Sequence, residues 1–230
     1  MQQFFDFPVI PTFGFDSFVT CEGNAAALRF AMRIADPADP EKLLYLHGPS
    51  GSGKTHLLKS IATGAVRYLS LKEQTEPEAL VSLFSCSPGL VVDDLHEMPD
   101  NPALKAALWQ LFNDFHTSGR IIAMSGMHPP RELVRLDDHL TSRLLWGLVA
   151  RLDTSDDHSR SMILKKVADD RQIRLPDDVI DYILATASRE VGDLISCFDQ
   201  LYRVSMAEKR RITLPLAREV RELFLSGIVF

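Results

Sequence analysis

Basic residues are in deficit in this chain of 230 residues: 25 Lys and Arg stand against 31 Asp and Glu, a formal net charge of -6. That balance supplies no charge-driven affinity for nucleic acid, so any DNA contact would have to be local. Residues before Thr154 hold 13 basic and 18 acidic side chains and those from Thr154 onward 12 and 13, so neither half is a basic arm. Cysteine is scarce. Cys21, Cys86 and Cys197 are far apart, odd in number and without a CxxC pair, which disfavours a disulfide framework or a thiolate metal site and suits a reducing cytoplasm; small core residues are expected at all three. The seven histidines show no HxxxH or HExxH spacing. No apolar run approaches the roughly 20 residues of a membrane span, and MQQFFDFPVIP has no basic start of a signal peptide, so a cytoplasmic protein is expected. Repeats and low-complexity tracts are missing as well.

What is present is the composition of a folded globular chain, with 46% hydrophobic residues, long enough for a medium domain and a small appendage. The first twenty residues are aromatic and punctuated by Pro8 and Pro11, which argues for an extended segment. Helix formers run from Asn24 to Ala35 before the loop DPADP. From Leu43, short apolar runs alternate with helical stretches, in the order LLYLHG, a helix from Lys54, VRYLSL, a helix near Pro77 to Ser85, GLVVDDL, a long helix and RIIAMSG, the pattern of a mostly parallel sheet covered by helices; the strand signals end with GLVARLD. After Asp153 the pattern is helical throughout, with helices expected over 156–171, 176–187, 191–206 and 215–225.

Gly48-Pro49-Ser50-Gly51-Ser52-Gly53-Lys54-Thr55 satisfies GxxxxGK[ST] between an apolar strand and an amphipathic helix. Glycines let such a loop wrap so that its amides converge on phosphate oxygens. Lys54 brings a cation, Thr55 can ligate Mg²⁺, and the helix N-terminus adds its dipole. Gly89-Leu-Val-Val-Asp93-Asp94 is an apolar strand ending in two carboxylates. Asp93 is placed to hold a metal and Asp94 to orient an attacking water, although Asp94 by itself also reads as a solvated turn residue or helix cap. Arg143, in LTSRLLWGL, reads alone as an ion-pairing arginine.

In order along the chain, these motifs resemble those of the DnaA/Hda family, the AAA+ proteins of bacterial replication initiation and its regulation. FDSFV with Gly23-Asn24 is similar to the family's N-terminal box, which implies Phe18, Val19 and Asn24 beside an adenine. GPSGSGKTHLL, through His56, resembles its Walker A motif, and LVVDD its Walker B motif. LTSRLLWGL resembles the arginine-finger box, which places the finger on Arg143. The helical end, with FDQL and RRITLPLAREV, resembles the Hda lid. Two departures stand out. Gly126 occupies the place of the sensor 1 Asp, with Ser125 as the polar substitute, and Gly192 that of the sensor 2 Arg, with Arg189 one turn earlier.

The resemblance implies an α/β P-loop AAA+ domain, a parallel sheet between helices, over 15–153, with a small all-helical lid over 154–230. Nucleotide, ATP or ADP with Mg²⁺, is expected at their junction. It also implies a regulator that promotes hydrolysis of DnaA-bound ATP in trans through Arg143, with weak hydrolysis of its own and weak or no direct DNA binding. The DNA-reading domain that follows the lid in the initiator is not within this sequence. Residues 1–14 resemble a sliding-clamp-binding peptide in which Gln3, Phe4, Phe5 and Phe7 fill an apolar groove; the alternative is that these aromatics cover the chain's own core. Homo-oligomers are a further partner class. Two other functions stay open: a DNA-associated AAA+ ATPase such as a helicase loader or accessory initiator, and a nucleotide-locked adaptor without catalysis.

Overall fold

The computed structural model describes residues 13–73, 75–188 and 190–225, without the side chains of residues 224 and 225. Gln3, Phe4, Phe5 and Phe7 of the expected clamp peptide, and Arg189, lie outside the described residues. The chain divides into two compact units after Thr154.

The first unit contains α1 (Ala25–Ala35), β1 (Leu43–His47), α2 (Lys54–Ile61), β2 (Arg67–Ser70), α3 (Pro77–Phe84), β3 (Gly89–Asp93), α4 (Pro102–Thr117), β4 (Ile121–Gly126), α5 (Asp138–Leu144) and β5 (Leu148–Arg151). Its strands lie in the order β2-β3-β4-β1-β5, and every pairing is parallel. A parallel sheet is covered on both faces, and strand alternation sorts the side chains accordingly. Leu43, Tyr45, Leu90, Val92 and Met124 enter one core with α3, α4 and α5. Leu44, Leu46, Val91 and Ala123 enter another with α1 and α2. Each fully buried large apolar side chain contributes about 1.5–3 kcal/mol relative to exposure.

Local signals set the helix starts. Asn101 Oδ1 accepts from the Ala103 and Leu104 amides at 3.0 and 3.2 Å ahead of Pro102, the first residue of α4. Asp137 caps α5 through the Leu140 amide at 2.8 Å. After Asp94, Leu95–Glu97 forms a 3-10 turn whose Leu95, with Met98 behind it, is buried in the core.

The second unit contains α6 (Asp157–Asp170), α7 (Asp177–Thr186), α8 (Val191–Glu208) and α9 (Leu214–Leu225). Leu164, Ile180, Ile183, Leu194, Phe198 and Leu216 form its own core. Leu194, Phe198 and Leu201, at helical spacing along α8, are therefore packing residues. Of the cysteines only Cys21 is buried. Cys86 is exposed and Cys197 half-buried, which corrects the expectation of three core residues.

Candidate functional site

The loop from Gly48 to Gly53 joins the C-terminal end of β1 to the N-terminus of α2, at the edge where parallel strands present ligands to helix dipoles. Its glycines are required by close approach. Gly53 has a left-handed backbone (φ 101), and a Cβ there would lie 2.8 Å from the Phe18 ring. A Cβ on Gly48 would lie 2.2 Å from the Leu152 carbonyl oxygen. Pro49, Ser50 and Gly51 complete the turn. Lys54 opens α2, is only 6% exposed, and donates through Nζ to the Gly48 and Pro49 carbonyls at 2.8 and 2.7 Å. The Ser52 hydroxyl is buried and has no hydrogen-bond partner among the described residues. A buried orphan donor beside a buried ammonium and a helix N-terminus fits a phosphate oxygen.

Asp93 ends β3 and is fully buried. Its Oδ2 accepts from Thr55 Oγ1 at 2.6 Å and from Tyr68 Oη at 2.8 Å; its Oδ1 accepts from the Asp94 amide at 3.0 Å and from the Ser125 hydroxyl. Four donors on one buried carboxylate fix it in position. Burial, reinforced by the Asp93 charge, pushes the Tyr68 phenol far above its ordinary range, so Tyr68 remains a neutral donor. Hydroxyl and carboxylate oxygens are hard-cation ligands, so Thr55 and Asp93 fit a Mg²⁺ ion.

Asp94 is buried at 6% exposure, which removes the reading of a solvated turn residue. It sits in the left-handed region (φ 60) at the head of the 3-10 turn, with no cap hydrogen bond from its side chain. Its carboxylate accepts from Ser70 Oγ at 2.9 Å and faces Lys72 Nζ at 3.4 Å and His96 Nε2 at 4.0 Å. Burial lowers the His96 pKa despite the neighbouring carboxylates, keeping the ring neutral near pH 7.

The N-terminal box is bound to this loop. His56 Nε2 lies 3.0 Å from the Gly14 carbonyl and 3.2 Å from Ser17 Oγ, and the Phe13 and Phe18 rings meet the imidazole edge-on at 5.4 Å. In this structure His56 holds the segment Phe13–Phe18 on α2. Asn24 Nδ2 donates to the Val19 carbonyl at 2.9 Å and its Oδ1 accepts from the Cys21 amide at 2.8 Å, closing the turn that carries Val19.

The two glycines at the sensor positions differ. A Cβ on Gly126 would lie 2.3 Å from the Tyr45 hydroxyl, which donates to the His128 carbonyl at 2.7 Å, so packing excludes a side chain there. A Cβ on Gly192 would meet nothing within 4 Å among the described residues. Ser125, the polar substitute at sensor 1, bonds Asp93 directly.

Arg143 lies on α5, a helix the sequence reading did not anticipate. Its Nη1 donates to Asn113 Oδ1, and its guanidinium carbon lies 4.4 Å from the Trp109 ring centroid and 5.0 Å from that of Trp146. The simple ion-pair reading is thereby corrected, because the acceptor is a neutral amide. Tyr68, Ser70 and Lys72 around the two carboxylates were also missed. Only β2 in its register beside β3, with Ser70 opposite Asp93, brings them there.

Comparison with known proteins followed the same division. Residues 9–75 and 66–151 match the family described as the bacterial DnaA ATPase domain, and residues 156–220 the family described as Hda, lid domain. The chromosomal replication initiator protein DnaA of Clavibacter sepedonicus is 27% identical, over 91% of this chain and 48% of that protein. That of Leifsonia xyli is 26% identical over 90% and 48%. The chain thus spans about half the length of these relatives. Domain III of the Thermotoga maritima replication initiation protein DnaA is similar at TM-score 0.81 and 25% identity, covering 93% of this chain and 97% of that one. AMPPCP-bound DnaA from Aquifex aeolicus is similar in fold at TM-score 0.73 and 20% identity, covering 84% and 65%.

Proposed function

This chain belongs to the family of the bacterial DnaA ATPase domain, and from that premise we propose that it is a regulator of replication initiation that binds an adenine nucleotide and promotes hydrolysis of DnaA-bound ATP in trans. The observation that carries the reading is the convergence on one sheet edge of Lys54, the orphan Ser52 hydroxyl and the Thr55–Asp93 pair, with Arg143 held on α5 by a neutral amide and, among the described residues, without an acidic hydrogen-bond partner. The bound AMPPCP of the Aquifex aeolicus relative supports an adenine nucleotide here.

Residues Gly48–Thr55 would hold the phosphates, with Phe18, Val19 and Asn24 bordering the base and His56 fixing that border against α2. Thr55 and Asp93 would hold Mg²⁺, which when bound polarises phosphate oxygens. Asp94 is the residue positioned to orient a water, but Ser70 and Lys72 occupy its carboxylate. Turnover by the chain alone is therefore slow. Arg143 supplies positive charge to the γ-phosphate of ATP held by a neighbouring DnaA, a contribution that lowers the barrier electrostatically. The N-terminal segment containing Gln3, Phe4, Phe5 and Phe7 docks the protein on the sliding clamp in this reading.

Arg143→Ala tests it. Stimulated hydrolysis of ATP preloaded on DnaA is expected to vanish while the variant still binds Mg-nucleotide; unchanged stimulation would remove Arg143 from its role. A second reading, a nucleotide-locked adaptor, draws on the same occupied Asp94. It is separated by adding DnaA, since an adaptor leaves the rate of DnaA hydrolysis unaltered.

A further inference from the structure

The surroundings of Arg143 are specific for an arginine whose charge is kept rather than neutralised. Trp109 and Trp146 both pack on the guanidinium, an attraction that holds a cation without supplying a counter-charge. Trp109 is anchored from below by parallel stacking on the buried Phe112, with centroids 6.5 Å apart. Trp146, 60% exposed, meets the His116 ring edge-on at 5.5 Å.

The in-plane contact is set by Asn113. Its Nδ2 donates to the Trp109 carbonyl one helical turn earlier, at 3.0 Å, so the amide is oriented with Oδ1 turned to Arg143 Nη1. Asn113 engages one of the five guanidinium N–H groups, and the aromatic contacts use none of the others as hydrogen-bond donors, so they remain able to bind a phosphate. An acid at position 113 would hold the side chain as firmly. It would also cancel the charge that a phosphoryl group needs.

We propose that Asn113, with Trp109 and Trp146, is a positioning clamp that presents Arg143 as an unneutralised cation to the phosphoryl group of a nucleotide on a neighbouring subunit. Position 113 then selects for a neutral acceptor. The inference rests on the proposed action of Arg143 in trans and adds the residues that make that action effective.

The test is single-turnover hydrolysis of ATP preloaded on full-length DnaA, driven by the full chain or its variants at saturating concentration. Asn113→Asp keeps an acceptor for Arg143, so a purely structural hydrogen bond would survive it. The clamp instead requires the stimulated rate to fall at least about tenfold, the scale set by 1.4 kcal/mol of lost charge stabilisation, with Mg-nucleotide binding by the variant unchanged. Trp146→Phe is expected to retain stimulation and Trp146→Ala to lose most of it. If Asn113→Asp fails to fold, Trp146→Glu at the exposed position places a carboxylate beside Arg143 and is expected to show the same loss. Full stimulation by Asn113→Asp or Trp146→Glu, with Arg143→Ala inactive, overturns the clamp and leaves the action in trans standing. Full stimulation by Arg143→Ala overturns the action in trans itself.

Discussion

Thr55 donates its hydroxyl to Asp93 over 2.6 Å, and so ties the first turn of α2 to the C-terminal end of β3. The two motifs recognised separately in the sequence meet at this bond. Thr55→Ala removes one of the two oxygens proposed to hold Mg²⁺ and leaves Asp93 with the donors Tyr68, Ser125 and the Asp94 amide. We expect affinity for Mg-nucleotide to fall about 10- to 100-fold, as for loss of a metal-supporting group, and the difference to disappear in excess EDTA. Titration with a fluorescent ADP analogue reads both conditions.

Lys72 and Ser70 hold the Asp94 carboxylate, the group proposed to orient a water. Lys72 itself is exposed, so its replacement perturbs no core. Lys72→Ala is expected to raise intrinsic ATP turnover several-fold without changing nucleotide affinity, measured by phosphate release. Turnover equal to that of the wild type would mean that the pairing does not restrain Asp94.

Restoring an acid at sensor 1 is expected to damage the fold. Gly126→Asp drives its Cβ against the Tyr45 hydroxyl, and overpacking of this kind costs about 1–3 kcal/mol. Tyr45→Phe in the same chain should recover part of that loss. Gly192→Ala, in open space in the first turn of α8, should instead be tolerated, with a gain no larger than about 0.5 kcal/mol, below the helix-interior value. Chemical denaturation of the three variants gives all the comparisons.

His47 and His96 give stability an acid limb. Burial depresses both pKa values, reinforced at His47 by the Arg151 charge. In the unfolded chain these two histidines therefore take up protons near the ordinary value of 6.5, while in the folded chain they stay neutral to lower pH. The unfolded state binds more protons, so stability is complete above about pH 6.5 and falls as pH drops through the depressed values. His47→Asn should flatten the decline of Tm between about pH 7 and 5.

The strands and the phosphate loop were legible because their signals are local: four or five apolar residues, a glycine spacing and a lysine at a helix start. Asp93 was legible for the same reason. Helix α5 was not. It has only seven residues, and DDHLTSRLL carries too short an apolar pattern to separate it from a loop. The partners of the site residues were hidden for another reason. Tyr68 and Ser70 reach Asp93 and Asp94 through strand register, and Asn113 reaches Arg143 across 30 positions of sequence. Pairings of that kind depend on how helices and strands stack, which no local pattern encodes. Gly126 shows the converse: its lack of a side chain looked like a lost sensor, and the structure supplies a packing cause in Tyr45.

The most direct test of the account is nucleotide binding and turnover by the purified protein, with and without ATP-loaded DnaA. The expected result is Mg-dependent binding of ADP and ATP that Lys54→Ala abolishes, slow turnover by the chain alone, and rapid loss of ATP from DnaA when the two are mixed. A protein that binds no nucleotide at any Mg²⁺ concentration, and leaves DnaA-bound ATP intact, would contradict the account.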